Sequence, residues 1–198
     1  MVLSNIQQAA EAVQAGLLVV YPTDTLYALG AQIFDVEAVR KVFFIKHRPF
    51  SIPLPVAVAD IDALHEVALI NQDANKIARR FLPGKLTMIL SKKDVVPSII
   101  SAHKPSIAVR IPADETALRL LSLTGPLTVT SANIHNQKTP ATVEEIKDNL
   151  DADDISIYID MGVRMQSPST IVDLTQSPPQ IIRKGAITED EIIEVVSS

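Results

Sequence analysis

The chain has 198 residues, 47% of them hydrophobic, no cysteine, and a formal net charge of −5. This is enough apolar chain for one fair-sized domain, and the missing cysteines exclude disulfides, thiolate zinc sites and thiol nucleophiles. No apolar run approaches the roughly 18 residues of a membrane-spanning helix, and polar residues run from Ser4 to Ala15 where a secretory leader would be apolar, so the expectation is a cytoplasmic protein.

From the N-terminus, Ser4-x-x-Gln7 has the form of a helix-capping box, and Gly16 sits where that helix would stop. Leu17–Tyr21 reads as a buried strand that leads into YPTDTLYALG, Tyr21–Gly30, read as a turn. Asp35 is placed to cap a helix running to about Lys46, with Val36, Val39, Val42 and Phe43 as its apolar face. Leu54–Val58 reads as a strand. Helical patterns follow over Ile61–Ala68 and Asp73–Phe81, the second stopped by Pro83-Gly84. Leu86–Leu90, Ser106–Ile111 and Leu127–Thr130 read as strands, and Glu115–Ser122 as a helix. Thr142-x-x-Glu145 opens a helix to about Leu150, and Thr188-x-x-Glu191 opens a short last one. Between them Ile155–Ile159, Thr170–Leu174 and Gln180–Arg183 read as strands. Helices and strands interleave over residues 1–198, which predicts a single α/β domain on one large sheet. The late strands follow one another without helices, so the sheet is expected to be mixed.

Six polar clusters fall at strand ends or in connections, where binding residues concentrate. Thr23-Asp24-Thr25 follows the first strand and reads either as a ligand contact or as ordinary turn chemistry. In KHRPFSIPL, an extended Lys46-x-Arg48 would point both cations the same way; the other reading is a basic helix end complementing the helix dipole. Arg110 ends the apolar strand of SIAVRIP and, if buried, needs a partner. TVTSAN offers Ser131 and Asn133, PSTIVD offers Ser169 and Thr170, and IIRKG offers Arg183. Three arginines, a lysine and many hydroxyls suit an anionic, hydroxyl-bearing ligand such as a nucleotide.

The chain lacks both G-x-x-x-x-G-K-[ST] and G-x-G-x-x-G, and its four histidines, His47, His65, His103 and His135, show no zinc spacing. An enzyme made from these parts would orient reactants and stabilise charge without supplying a nucleophile. Residues 40–110 hold 12 of the 18 Lys and Arg against 5 acids, which suggests a local anion site or solvated helix faces in an acidic protein.

Taken in order, YPTDTLYALG, KHRP…PL, PGKLTMIL, SIAVRIP, TSAN, PSTIVDLT and IIRKG resemble the YrdC-like family of threonylcarbamoyl-AMP synthases. The resemblance spans Tyr21 to Gly185. It implies a twisted mixed α/β sheet with a basic concave face, in the short form without an additional C-terminal domain. It implies the formation of L-threonylcarbamoyladenylate and pyrophosphate from ATP, L-threonine and bicarbonate. A downstream tRNA threonylcarbamoyl transferase would consume the product, modifying the adenosine beside the anticodon. By the resemblance, Lys46 and Arg48 are the catalytic cations. Arg48, Ser106, Asn133 and Arg183 would hold ATP; Thr25, Arg110, Ser131 and Ser169 would hold L-threonine, Arg110 through its carboxylate. Magnesium would arrive on the ATP phosphates, with no metal site of the protein's own. The alternative is a paralogue that binds nucleotide or RNA, tRNA or double-stranded, without this activity; weak RNA binding beside the activity is a further expectation. The chain departs from the family pattern at Ile52, where many members have Asn, at Ala57, where many have His, at Ala28 in place of Gly, and at His135-Asn136 after TSAN.

Overall fold

The computed structural model describes residues 2–150, 153–164 and 168–197. In chain order, α1 (Val2–Gln14) leads to β1 (Leu18–Pro22) and β2 (Tyr27–Gly30), and α2 (Val36–Ile45) leads to β3 (Val56–Ala57). Then come α3 (Ile61–Val67), β4 (Ala68–Leu69), α4 (Gln72–Phe81) and β5 (Leu86–Lys92). A short α5 (Ser98–Ser101) precedes β6 (Ser106–Arg110), α6 (Glu115–Thr124), β7 (Leu127–Thr128) and β8 (Thr130–Ser131). The last part holds α7 (Val143–Asn149), β9 (Ile155–Tyr158), β10 (Thr170–Asp173), β11 (Gln180–Arg183) and α8 (Glu189–Ser197).

The caps read from the sequence explain several helix starts. Asp35 Oδ1 accepts from the backbone N–H groups of Glu37 and Ala38, and α2 buries Ala38, Val39, Val42 and Phe43. Thr188 and Glu191 cap α8 reciprocally, each side chain accepting from the other's backbone N–H. The first box is a correction: α1 starts at Val2, so Ser4 lies inside the helix, not at its cap. Gly16, at φ +74°, follows its end as expected.

The α/β class and the large mixed sheet hold, but the strands divide between two sheets. The larger runs β11-β10-β5-β6-β3-β7, with β4 added on β5. Its mixture is real: β10/β5 and β3/β6 are parallel, while β5/β6 and β10/β11 are antiparallel. The second sheet runs β8-β2-β1-β9. Its centre is a hairpin inside the stretch read as a turn, with Val19 opposite Gly30 and Tyr21 opposite Ala28. Every residue of β1 and β2 is buried. Successive side chains enter different apolar layers: Leu18, Val20, Tyr27 and Leu29 join one cluster, and Val19, Tyr21 and Ala28 the other. Both faces of this sheet are therefore covered, which removes the apolar–polar alternation that marks a half-buried strand.

The single strand expected over Leu127–Thr130 is two. Thr128 belongs to β7 and pairs with Val56 of the larger sheet, whereas Thr130 pairs with Leu29 of the smaller. Thr128 stitches the sheets together: its Oγ1 donates to Leu29 O and accepts from Ala31 N, and its carbonyl accepts from the Tyr21 hydroxyl. Among the described residues, no helix is long and apolar enough to cross a membrane.

Candidate functional site

Strand register lines up Arg110, Thr87 and Arg183 on one row across the larger sheet, together with Ala57 and Ile171. Ala57 lies opposite Arg110, and Met88 opposite Val109, so Thr87 follows beside Arg110. Thr87 pairs with Ile171, and Ile171 with Arg183. Arg110, on the row, is only 5% exposed. It donates from Nη1 to Thr25 Oγ1 at 3.0 Å, and from Nη2 to Asp24 Oδ1 at 2.6 Å and Gly84 O at 3.2 Å. Burial lowers its pKa; the Asp24 carboxylate opposes that shift, and Arg183 adds to it. The TDT turn is thus the charge partner that a buried strand-end arginine requires.

Thr23 fixes this turn. Its hydroxyl donates to Leu26 O at 2.7 Å and accepts from the backbone N–H groups of Thr25 and Leu26. Thr25 is buried, and its hydroxyl lies 3.1 Å from that of Thr23. Further along the row, Ser169 Oγ meets Thr87 Oγ1 at 3.0 Å. Arg183 clasps Ser169, donating from Nη2 to its carbonyl at 2.8 Å and its hydroxyl at 3.0 Å. Gly185 lies so close to the Pro168–Thr170 backbone that a Cβ has no room there.

A second group forms around Lys46. The extended Lys-x-Arg is a correction: Lys46 is the helical C-cap of α2, and His47 takes a left-handed φ of 49°. The two cations consequently part. Lys46 is buried, and its Nζ donates to the carbonyls of Ser131 and Asn133, both at 2.6 Å. Its pKa is pulled down to about 7, chiefly by burial and then by the charge of Arg48. Arg48 closes its own loop, with Nη2 donating to Pro53 O at 2.6 Å and Nε to Ile52 O at 3.2 Å. Asn133 donates its amide hydrogens to Ile134 O and Gln137 O, while its buried Oδ1 has no partner. His135 donates its backbone N–H to Lys46 O, and its imidazole pKa is lowered by burial and by Arg48 and Lys46.

The two groups adjoin through β2, because Ala28 pairs with Ser131 and Tyr27 O accepts from Ala132 N. Ser106 stands apart from Arg110 at the other end of β6, about 13 Å away at the usual strand rise. Sequence reasoning missed Asp24 as the arginine's partner, Thr23 as the organiser of the turn and Thr87 as a neighbour of Ser169. It also missed Tyr27, whose buried ring places its hydroxyl 2.7 Å from Gly162 O and 3.2 Å from Asp160 Oδ1. Spacing gave no signal for these contacts, since Tyr27 and Asp160 are 133 residues apart.

Among the described residues, no group of three or more His, Asp or Glu could hold a metal ion. Cations and hydroxyls dominate. The arrangement can hold anions side by side and neutralise charge that develops between them.

A family model named for Sua5, YciO and YrdC, with the description telomere recombination, matches residues 11–185. The chain is 38% identical over 195 residues to the threonylcarbamoyl-AMP synthase of Pyrococcus abyssi, a match covering 97% of this chain and 57% of that protein. It is 42% identical over 173 residues to a putative threonylcarbamoyl-AMP synthase of Methanocaldococcus jannaschii, covering 87% and 81%. The crystal structure of P. abyssi Sua5 complexed with L-threonine matches with a TM-score of 0.90 at 37% identity, over 96% of this chain and 56% of that one. The chain therefore spans little more than half the length of the Pyrococcus protein.

Proposed function

The chain belongs to the Sua5/YciO/YrdC family, and we propose from that premise that it makes L-threonylcarbamoyladenylate from ATP, L-threonine and bicarbonate. The observation that supports this reading is the buried Arg110–Thr25 contact, with Arg183 close enough to act on Arg110 and the Lys46 group joined to it through β2, an arrangement that suits an amino-acid carboxylate next to a polyphosphate. The relative solved with L-threonine has the same fold over nearly all of this chain.

In this reading Arg110 takes the threonine carboxylate, with Thr25, Ser131 and Ser169 around the rest of the amino acid. Lys46, Arg48, Asn133, Arg183 and, farther along β6, Ser106 serve ATP, whose magnesium arrives with it as part of the substrate. The threonine amine attacks the bicarbonate carbon and water leaves, giving a carbamate. A carbamate oxygen then attacks the α-phosphorus of ATP. The bond to the bridging oxygen breaks, and pyrophosphate leaves with the electron pair. No protein nucleophile is needed. The chain's task is to hold two anions in line and meet the charge growing on the phosphoryl oxygens, the role this reading gives to Lys46 and Arg48. The product is an activated acyl-adenylate, the form a tRNA threonylcarbamoyl transferase consumes. Ile52 is compatible with this role, because Arg48 uses its backbone carbonyl and not its side chain.

Carbon-13 bicarbonate supplies the test. With MgATP and L-threonine, mass spectrometry should find one adduct containing AMP, threonine and the labelled carbon. An adduct lacking the label, or none from folded protein, contradicts the reading.

A further inference from the structure

His135 departs from the family pattern, and the proposed function gives it no part. It sits on a closed turn beside the Lys46 group. Asn133 closes the turn, its amide donating to Ile134 O at 2.8 Å and Gln137 O at 2.7 Å. Gln137 N donates back to Ile134 O, and Asn136 takes a left-handed φ of 65°. The His135 backbone N–H donates to Lys46 O at 2.7 Å, which ties the turn to the end of α2. The residue remains partly exposed, so a ligand can reach it. The two cations beside it are already partly committed. Of the three ammonium N–H groups of Lys46, two go to the carbonyls of Ser131 and Asn133. Of the five guanidinium N–H groups of Arg48, two go to Ile52 O and Pro53 O. Burial also takes charge from Lys46, whose pKa is pulled down to about 7. A polyphosphate arriving here therefore meets few free donors and less than full charge on Lys46 near neutral pH. An imidazole supplies what is short, because it gains a positive charge and a second donor with one proton. Without a ligand the ring is held neutral, since burial and then the charges of Arg48 and Lys46 lower its pKa. Those two cations, from the end of α2 and the loop after it, are the charged groups acting on the ring; Lys138 follows on its own segment, and no carboxylate acts on it.

We propose that His135 is a third polyphosphate ligand, an imidazole that takes up a proton as the β- and γ-phosphates of ATP settle beside Lys46 and Arg48. The inference rests on polyphosphate occupying the Lys46 group, as in the proposed function. It makes His135 a specificity residue that favours a triphosphate over a monophosphate, most strongly at acidic pH. The contribution is present while the bound ring is protonated and is lost as pH rises through the midpoint of the bound state.

Proton NMR of the histidine rings tests it, with inorganic triphosphate as the probe and His135→Gln picking out the signal from those of His47, His65 and His103. Phosphorus-31 signals report independently whether triphosphate is bound. When it is, the His135 midpoint should move to higher pH. A midpoint that stays in place while triphosphate binds would overturn the proposal and leave Lys46 and Arg48 to hold the phosphates. Triphosphate that does not bind at all would overturn both the proposal and the polyphosphate reading. The second arm compares MgATP with AMP by calorimetry. At about pH 6, His135→Gln should weaken MgATP by about 10-fold and AMP by less than about threefold, the scale for one charge-assisted hydrogen bond. At about pH 8 both losses should fall below about threefold. Lys46 titrates in both proteins, so the ratio of variant to wild type isolates the ring. Equal losses for both nucleotides, or a loss indifferent to pH, would mean that His135 only shapes its turn, and would overturn the proposal. Should the variant not fold, the wild-type titration, assigned through the backbone, decides. A wild type whose His135 responds as stated yet which releases no pyrophosphate with MgATP, L-threonine and bicarbonate would sustain the phosphate ligand and refute the synthase reading.

Discussion

Lys46 has a structural role besides the chemical one proposed for it. It ends α2, lies buried, and holds the Ser131–Asn133 segment by two carbonyls. Burial pulls its pKa down to about 7 from an ordinary value of 10.5. Between those values the unfolded chain retains a proton that the folded protein has shed, so this group makes stability rise with pH across that window. In the proposed function polyphosphate lies beside it and favours the charged form, so binding of MgATP at pH 8 should take up a proton. Calorimetry in two buffers of different ionisation enthalpy reads the uptake directly; identical heats would contradict it. Arg48→Ala should lower kcat/KM by about 10²–10³, the loss seen when a preorganised electrostatic contact is removed. A nearly unchanged rate would remove Arg48 from the mechanism. At this scale the sequence disclosed the need more readily than the partner. A strand-end arginine among apolar neighbours must be paired, but Asp24 is 86 positions away, and only the fold joins them.

Helix caps were the elements read most directly, because the motifs of Asp35, Thr142 and Thr188 act within a few residues of themselves. Asp35→Ala should cost about 1 kcal/mol in urea denaturation, the usual loss of an N-cap, and an unchanged midpoint would contradict the capping assignment. Strand β2 was hidden because both its faces are buried and its pattern does not alternate. The break at Val129 was hidden because it reflects a change of sheet and not a change of local propensity. Gly185 is the clearest link between an element and the site. Any Cβ there meets the Ser169–Thr170 backbone, so Gly185→Ala must move β11 away and pull Arg183 off Ser169. Both thermal stability and nucleotide affinity should fall; a variant matching the wild type in both would show that the close approach is not needed.

For the whole molecule, interleaved helix and strand signals were enough for the α/β class, and the late run of strands for a mixed sheet. The division into two sheets was not legible. It depends on Thr128 gripping Leu29 of β2 and Ala31 just beyond it, contacts that are 99 and 97 residues apart. That division is what brings the site together: the smaller sheet delivers the TDT turn and Ser131, and the larger delivers Arg110, Thr87, Ser169 and Arg183. The basic middle of the chain supplies Lys46, Arg48 and Arg110 within this arrangement, and the proposed function makes part of its charge a local anion site inside an acidic protein. The measurement that bears most directly on the account is pyrophosphate release from MgATP and bicarbonate, with and without L-threonine. Release that depends on threonine is the predicted result; release indifferent to threonine, or absent from folded protein, would contradict it.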